Sequence, residues 1–161
     1  EIFKMATIKK KPSGYGQFGG FSPYGNVTAL AFFLATNASG AVIDSDTTVA
    51  VASGDVIDLG ELPEGMRLDD AQILIKTGMT ATVTGSLGFK YVDGDSTEVP
   101  QDAAYFINAG DLATAGRLRA NTGKLVTLPK AARLILTTGG AANAKASDIK
   151  VIVSGELTGP R

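Results

Sequence analysis

The sequence predicts a mostly β protein: a single antiparallel β-sandwich, jelly-roll or barrel-like domain of residues 27–161, carrying an extended N-terminal arm of residues 1–26. Three observations predict it. The 20 glycines fall between short apolar runs rich in β-branched residues, the composition of short strands joined by tight turns. Residues 80–91 alternate apolar and polar with a period of two, which puts one face in a core and one in water. The length of 161 residues and a hydrophobic content of 44% suffice for one buried core without staples.

The elements follow in order. Residues 27–34 form an apolar run with Phe32 and Phe33 and read as a buried strand. Residues 47–52 and 55–59 read as short strands divided by Ser53-Gly54, and Leu62-Pro63-Glu64-Gly65 as a turn, with proline presetting the first angle and glycine supplying the left-handed one. Residues 67–76 put Ala71, Ile73 and Ile75 on one face. After the strand at 80–91, Asp93-Gly94-Asp95 supplies a hairpin turn. Residues 101–112 fit a short helix or a loop crossing the open end of a sandwich. Strands at 117–120, 124–128, 133–138 and 149–157 complete eight to ten, with a long Ala/Gly-rich loop at 139–147. No internal repeat and no second domain is visible.

The arm reads differently. Lys4, Lys9, Lys10 and Lys11 make it basic, and Pro12 begins a stretch too rich in glycine and proline for a helix or a central strand. Yet Tyr15, Phe18, Phe21 and Tyr24 recur every three residues. In a polyproline-like backbone, with three residues per turn, all four rings line one side. Such a stripe gains apolar contact when laid along a partner, so Lys9, Lys10, Lys11, Tyr15, Phe18, Phe21 and Tyr24 are the candidate partner-binding residues. Met5-Ala6 reads as a native start, with Glu1 to Lys4 and Arg161 added to it.

Composition disfavours catalysis. The chain contains no cysteine and no histidine, hence no thiolate nucleophile and none of the commonest general base or metal ligand. No catalytic residue, cofactor, metal or small-molecule substrate is expected. No apolar run approaches the roughly 18 residues of a membrane span, and no secretory signal is recognisable, so the chain reads as an intracellular product with no membrane partner.

Several motifs weaken under their physical requirements. Gly14-Tyr-Gly16-Gln-Phe-Gly19 fits the dinucleotide fingerprint but lacks the strand before it and the helix after it. Asp44-Ser-Asp46 and Asp93-Gly-Asp95-Ser-Thr-Glu98 offer oxygens to calcium without the twelve-residue loop, and turns explain them. Asp69 and Asp70, adjacent on a strand, point to opposite faces and form no dyad. Arg117 and Arg119 share a strand face, with Lys124, Lys130 and Arg133 nearby, but no aromatic platform is interleaved with them. Nucleic acid is therefore not an expected partner. Asn26-Val-Thr28 and Asn37-Ala-Ser39 fit a glycosylation pattern without the route that would use it. Eight carboxylates between Asp44 and Asp70 face a single base, Arg67, and this polarised charge invites pairing within the molecule or between copies.

Gly54-Asp-Val-Ile-Asp-Leu-Gly-Glu-Leu-Pro-Glu-Gly65, the strands through Tyr91 and Asp111-Leu-Ala-Thr-Ala-Gly-Arg117 resemble small virion proteins of tailed bacteriophages, over residues 54–120. The resemblance implies a capsid decoration (cement) protein, often a trimer of β-sandwich or jelly-roll subunits, that binds the major capsid protein on the virion surface and is made in the bacterial cytoplasm. It transfers a role and no site residues, and it does not include the basic arm. Two alternatives stand beside it: a tail or receptor-binding component, and a nucleic-acid-binding module using the basic residues.

Overall fold

The computed structural model describes residues 5–10 and 27–158, all in strands and connecting loops. Ten strands follow in order: β1 Thr7–Lys9, β2 Val27–Thr36, β3 Val56–Leu62, β4 Met66–Thr77, β5 Thr84–Tyr91, β6 Asp102–Asp111, β7 Gly116–Arg119, β8 Val126–Thr127, β9 Ala132–Gly139 and β10 Ser147–Leu157. They form two sheets. Sheet 1 has the order β1-β3-β9-β5-β6; sheet 2 has the order β2-β10-β4, and β7 and β8 share the far edge of β4. Every pairing is antiparallel except β1 with β3. The result is a sandwich and not a closed barrel.

The period-two pattern dictates how the sheets meet. In sheet 2 the register stacks three rows of buried side chains: Leu34–Ile149–Ile75, Phe32–Val151–Ile73 and Leu30–Val153–Ala71. In sheet 1 the facing rows are Ile57–Leu136–Leu87, Gly60–Leu134–Phe89 and Leu62–Ala132–Tyr91. The second row lacks a side chain at Gly60, and the Phe32 ring of the opposite sheet fills that space. A Cβ on Gly60 would lie 2.6 Å from Phe32 Cε1. Large and small residues thus interlock across the core.

β1 and β2 are the edge strands on one side of the sandwich, and the loop 37–55 is sewn to both. Val42 bridges Thr36 and Ser45 bridges Lys10, while Ile43 N–H donates to Ala35 O and Asp46 N–H to Lys9 O. The buried Asp55 carboxylate accepts from Ala6 N–H at 3.0 Å and Ala52 N–H at 2.9 Å, fixing the start of β1. Ile8 is buried in the core. Thr7–Lys9, within the segment read as an arm, therefore form part of the sheet.

The structure corrects several elements. β2 is not buried on both faces: Leu30, Phe32 and Leu34 point inward, and Val27 and Phe33 outward. Residues 47–52 form no strand; only an Ala41–Ala50 bridge is present. β5 begins at Thr84 because residues 80–82 turn, with Thr82 at φ 70°. The β5–β6 connection is a ten-residue loop rather than a tight turn. Residues 101–112 are neither helix nor loop but strand β6. Its register slips twice, so Leu87 faces Ile107 while Phe89 faces Asp102, and the consecutive Tyr105, Phe106 and Ile107 are all buried. Bulges of this kind erase the alternation by which a strand is recognised.

Candidate interaction surface

Of the candidate partner-binding residues, Lys9 and Lys10 lie at the seam between β1 and the loop 37–55. Lys9 is exposed. The Lys10 ammonium donates to Ile43 O at 2.9 Å. Burial pulls its pKa below the usual lysine value, partly offset by the charge of Asp44. Lys10 thus closes its own fold. Lys11, Tyr15, Phe18, Phe21 and Tyr24 lie outside the described residues.

The outer face of sheet 2 is the more informative surface. Side chains opposite one another across its ladder form the row Phe33–Lys150–Leu74–Arg117, with Ala31–Ile152–Gln72–Arg119 beside it. Phe33 is 63% exposed although Lys150 Nζ sits 5.4 Å from its ring centroid. Sequence reading missed Phe33 because it lies in an apolar run that looked like core. The signal was present in the alternation with Leu30, Phe32 and Leu34.

Asp69 and Asp70 correct an expectation. A bulge between Ser154 and Gly155 in the β10–β4 ladder lets β4 carry an extra residue, so both carboxylates reach the surface. Each is taken by a different guanidinium: Asp69 by Arg67 at 2.6 Å, Asp70 by Arg119 at 3.0 Å. Arg67 also holds Glu156. The other bases are likewise engaged, Lys124 with Asp102, Lys130 with Asp93, Arg133 with Asp58 and Arg117 with the Gln72 amide. They are split between two sheets and form no continuous phosphate-facing stripe.

The acidic loop motifs do conformational work. Asp95 accepts from Ser96 and Gln101 N–H, each at 2.8 Å, and Asp46 accepts from Lys9 N–H at 3.2 Å. Asn37 Oδ1 accepts from Ser39 and Ala41 N–H and turns its own loop. Beneath the loop 92–101 a hollow of about 340 Å³ is lined by Phe89, Val99, Pro100, Tyr105 and Val126, with the Asp102–Lys124 pair at its wall. The aromatic rings there meet edge to face, Phe89 with Tyr91 and with Tyr105.

These contacts predict how stability follows pH. The Lys124 ammonium and then Ala104 N–H hold the Asp102 carboxyl below its usual range. Backbone N–H groups do the same for Asp95 and Asp111. A depressed folded-state pKa contributes stability above the unfolded value, about 4, and loses it as pH falls through the folded value. Burial raises the phenols of Tyr91 and Tyr105, whose stability is full below about 10 and is lost above it. The urea midpoint is therefore expected to be flat between roughly pH 5 and 8 and to fall below that range. At alkaline pH the loss from the tyrosines is offset in part by Lys10, whose lowered pKa removes a cost as pH rises. Changing both tyrosines to phenylalanine should flatten the alkaline limb. A midpoint sloping as steeply between pH 5 and 8 as outside would contradict this.

The second feature that sequence reading missed is Asn143, buried in the loop 140–146. Its Oδ1 accepts from Thr80 N–H at 3.1 Å, and its Nδ2 donates to Thr36 Oγ1 at 3.1 Å and Lys145 O at 3.0 Å. Its own N–H donates to Val51 O at 2.8 Å. One side chain joins β2 to the loops before β5 and before β10. The residue type gave no warning in an Ala/Gly-rich loop.

The architecture is a two-sheet β-sandwich with exposed apolar side chains on the outer face of sheet 2. Solved structures share the arrangement. A chain of the capsid of Ralstonia phage GP4 matches with a TM-score of 0.67 at 18% identity, over 94% of this chain and 97% of that one. A chain of the cyanophage Pam1 capsid matches with a TM-score of 0.57 at 18% identity, over 91% and 97%. A chain of the capsid of Helicobacter pylori bacteriophage KHP30 matches with a TM-score of 0.51 at 14% identity, over 81% and 89%. No protein-family model matches the chain, and no curated protein does.

Proposed function

We propose that this chain is a non-enzymatic structural protein of a phage virion that binds the major capsid protein on the outer surface of the shell and stabilises it. The observation that carries the reading is the near end-to-end likeness to chains of three phage capsids, in which this fold is used whole. The reading is further supported by a rigid two-sheet body and exposed apolar side chains that the core does not require. A homotrimer on the capsid surface fits the same role, because closed symmetry presents each contact several times and multiplies weak affinities. In this reading the aromatic stripe Tyr15, Phe18, Phe21 and Tyr24, with Lys9, Lys10 and Lys11, bridges to a neighbour. The protein is made in the host cytoplasm and ends in the virion.

The test is co-sedimentation with capsids of the phage lacking this protein. Truncation to Gly25 is the wrong comparison, because it removes the buried Ile8 and the β1–β3 pairing. The informative variant changes Tyr15, Phe18, Phe21 and Tyr24 together to serine. Saturable binding by the unaltered chain, weakened at least tenfold in the variant, is expected if the four rings are buried at the contact. Equal binding by both keeps the capsid role and removes the arm from it. No binding by either removes the role.

A further inference from the structure

Resting on the capsid-binding reading, we infer that the outer face of sheet 2, centred on Phe33 with Lys150 and Arg117, is the face that docks on the shell, and that it fits a protein surface presenting carboxylates around an apolar centre. Three observations lead there. Phe33 is 63% exposed on a regular strand, where folding requires no aromatic. Around it the outward positions of β2 are Val27, Ala29, Ala31 and Ala35, small or apolar throughout, and Ile152 and Leu74 continue the apolar centre across the ladder. A flat sheet face with one protruding ring lets a partner approach the backbone closely, and aromatic and arginine side chains carry most binding energy at such centres.

The charges choose the partner. Lys150 stands over the Phe33 ring and Arg117 reaches only the Gln72 amide, so neither cation is paired with a carboxylate in the structure. Both are thus free to meet carboxylates of a partner, beside the ion pairs that Arg67, Arg119 and Lys76 already form on the same face. In a second copy of this chain three carboxylates of the acidic stretch are already neutralised in place. Asp58 is held by Arg133, Asp69 by Arg67 and Asp70 by Arg119. Its Glu61 and Glu64 remain exposed, so a second copy is the competing occupant that the experiment below separates from the shell.

The same sedimentation assay tests this, with Phe33→Ser at an exposed position and Lys150→Glu at a half-buried one, neither in the core, and Lys90→Glu on the opposite sheet as control. Each of the first two is expected to weaken shell binding by roughly tenfold or more, the second also reducing its dependence on salt, while the control binds normally. Binding by the unaltered chain that neither variant weakens overturns this inference and leaves the functional reading standing. No binding by the unaltered chain overturns both. Sedimentation velocity of the free protein gives the remaining outcome. If Phe33→Ser dissociates an oligomer but binds shells normally, a second copy covers the face and the inference is wrong.

Discussion

Replacing Asn143 with alanine is expected to lower the stability of the fold by about 2–3 kcal/mol, the cost of losing several buried hydrogen bonds at once. Thr80 N–H loses its side-chain acceptor, while Thr36 Oγ1 and Gly40 O each lose one donor and keep another partner. Water does not readily replace these bonds, because Asn143 is 1% and Thr36 2% exposed. Urea denaturation should show a lower midpoint at unchanged slope. The isosteric Asn143→Asp separates lost packing from lost donors. It keeps an acceptor for Thr80 N–H but turns a carboxylate towards the carbonyls of Gly40 and Lys145, and at neutral pH it should be as damaging as alanine. Those carbonyls raise the pKa of the new carboxyl in the folded state. Its stability relative to the unaltered protein should therefore recover as pH falls through that raised value. An aspartate variant as stable as the original at pH 7 would show that the amide donates nothing of consequence.

The second large effect lies at Gly60. Valine there is expected to destabilise by about 3 kcal/mol, because the core must be overpacked to admit it. The Cβ alone collides with Phe32 Cε1, and Phe32 is held in the row with Val151 and Ile73. The cause can be isolated by a double-mutant cycle. Phe32→Leu alone should cost about 1 kcal/mol as a change of shape and volume in the core. In the Gly60→Val background the same change should be neutral or stabilising, since the two sites compete for one space. Additive losses would place the defect in the backbone of β3 instead.

Much of the fold was legible because period two is a local signal. β4, β9 and β10 were read close to their true positions, since Ala71, Ile73 and Ile75 or Ile149, Val151 and Val153 alternate without interruption. The misread elements share a cause outside their own sequence. β6 hides behind the bulges around residues 103–106 and 108–109, where Ala109 takes φ 49° and donates its N–H to Ser86 Oγ. The start of β5 was overextended because residues 80–82 alternate like a strand but are turned back by Asn143. The surface was less legible than the fold. Exposure of Phe33 depends on which side of β2 faces β3, and the pairing of Asp69 and Asp70 depends on a register shift set by β10. The basic residues looked like one patch until their carboxylate partners, many residues away in sequence, were brought to them.

The place of β10 has a consequence for synthesis. It is the central strand of sheet 2, joining β2 to β4, yet it emerges from the ribosome roughly 120 residues after β2, on the order of ten seconds later at ordinary elongation rates. During that interval β2 and β4 have no intervening strand to pair with. The nascent chain carries Val27-Thr-Ala-Leu-Ala-Phe-Phe-Leu34, a stretch with no charge and no proline, as an open template for pairing with other chains. Assembly of this sandwich is thus a late, nearly all-at-once event. Copies translated close together on one message are the ones most exposed to joining each other before β10 arrives.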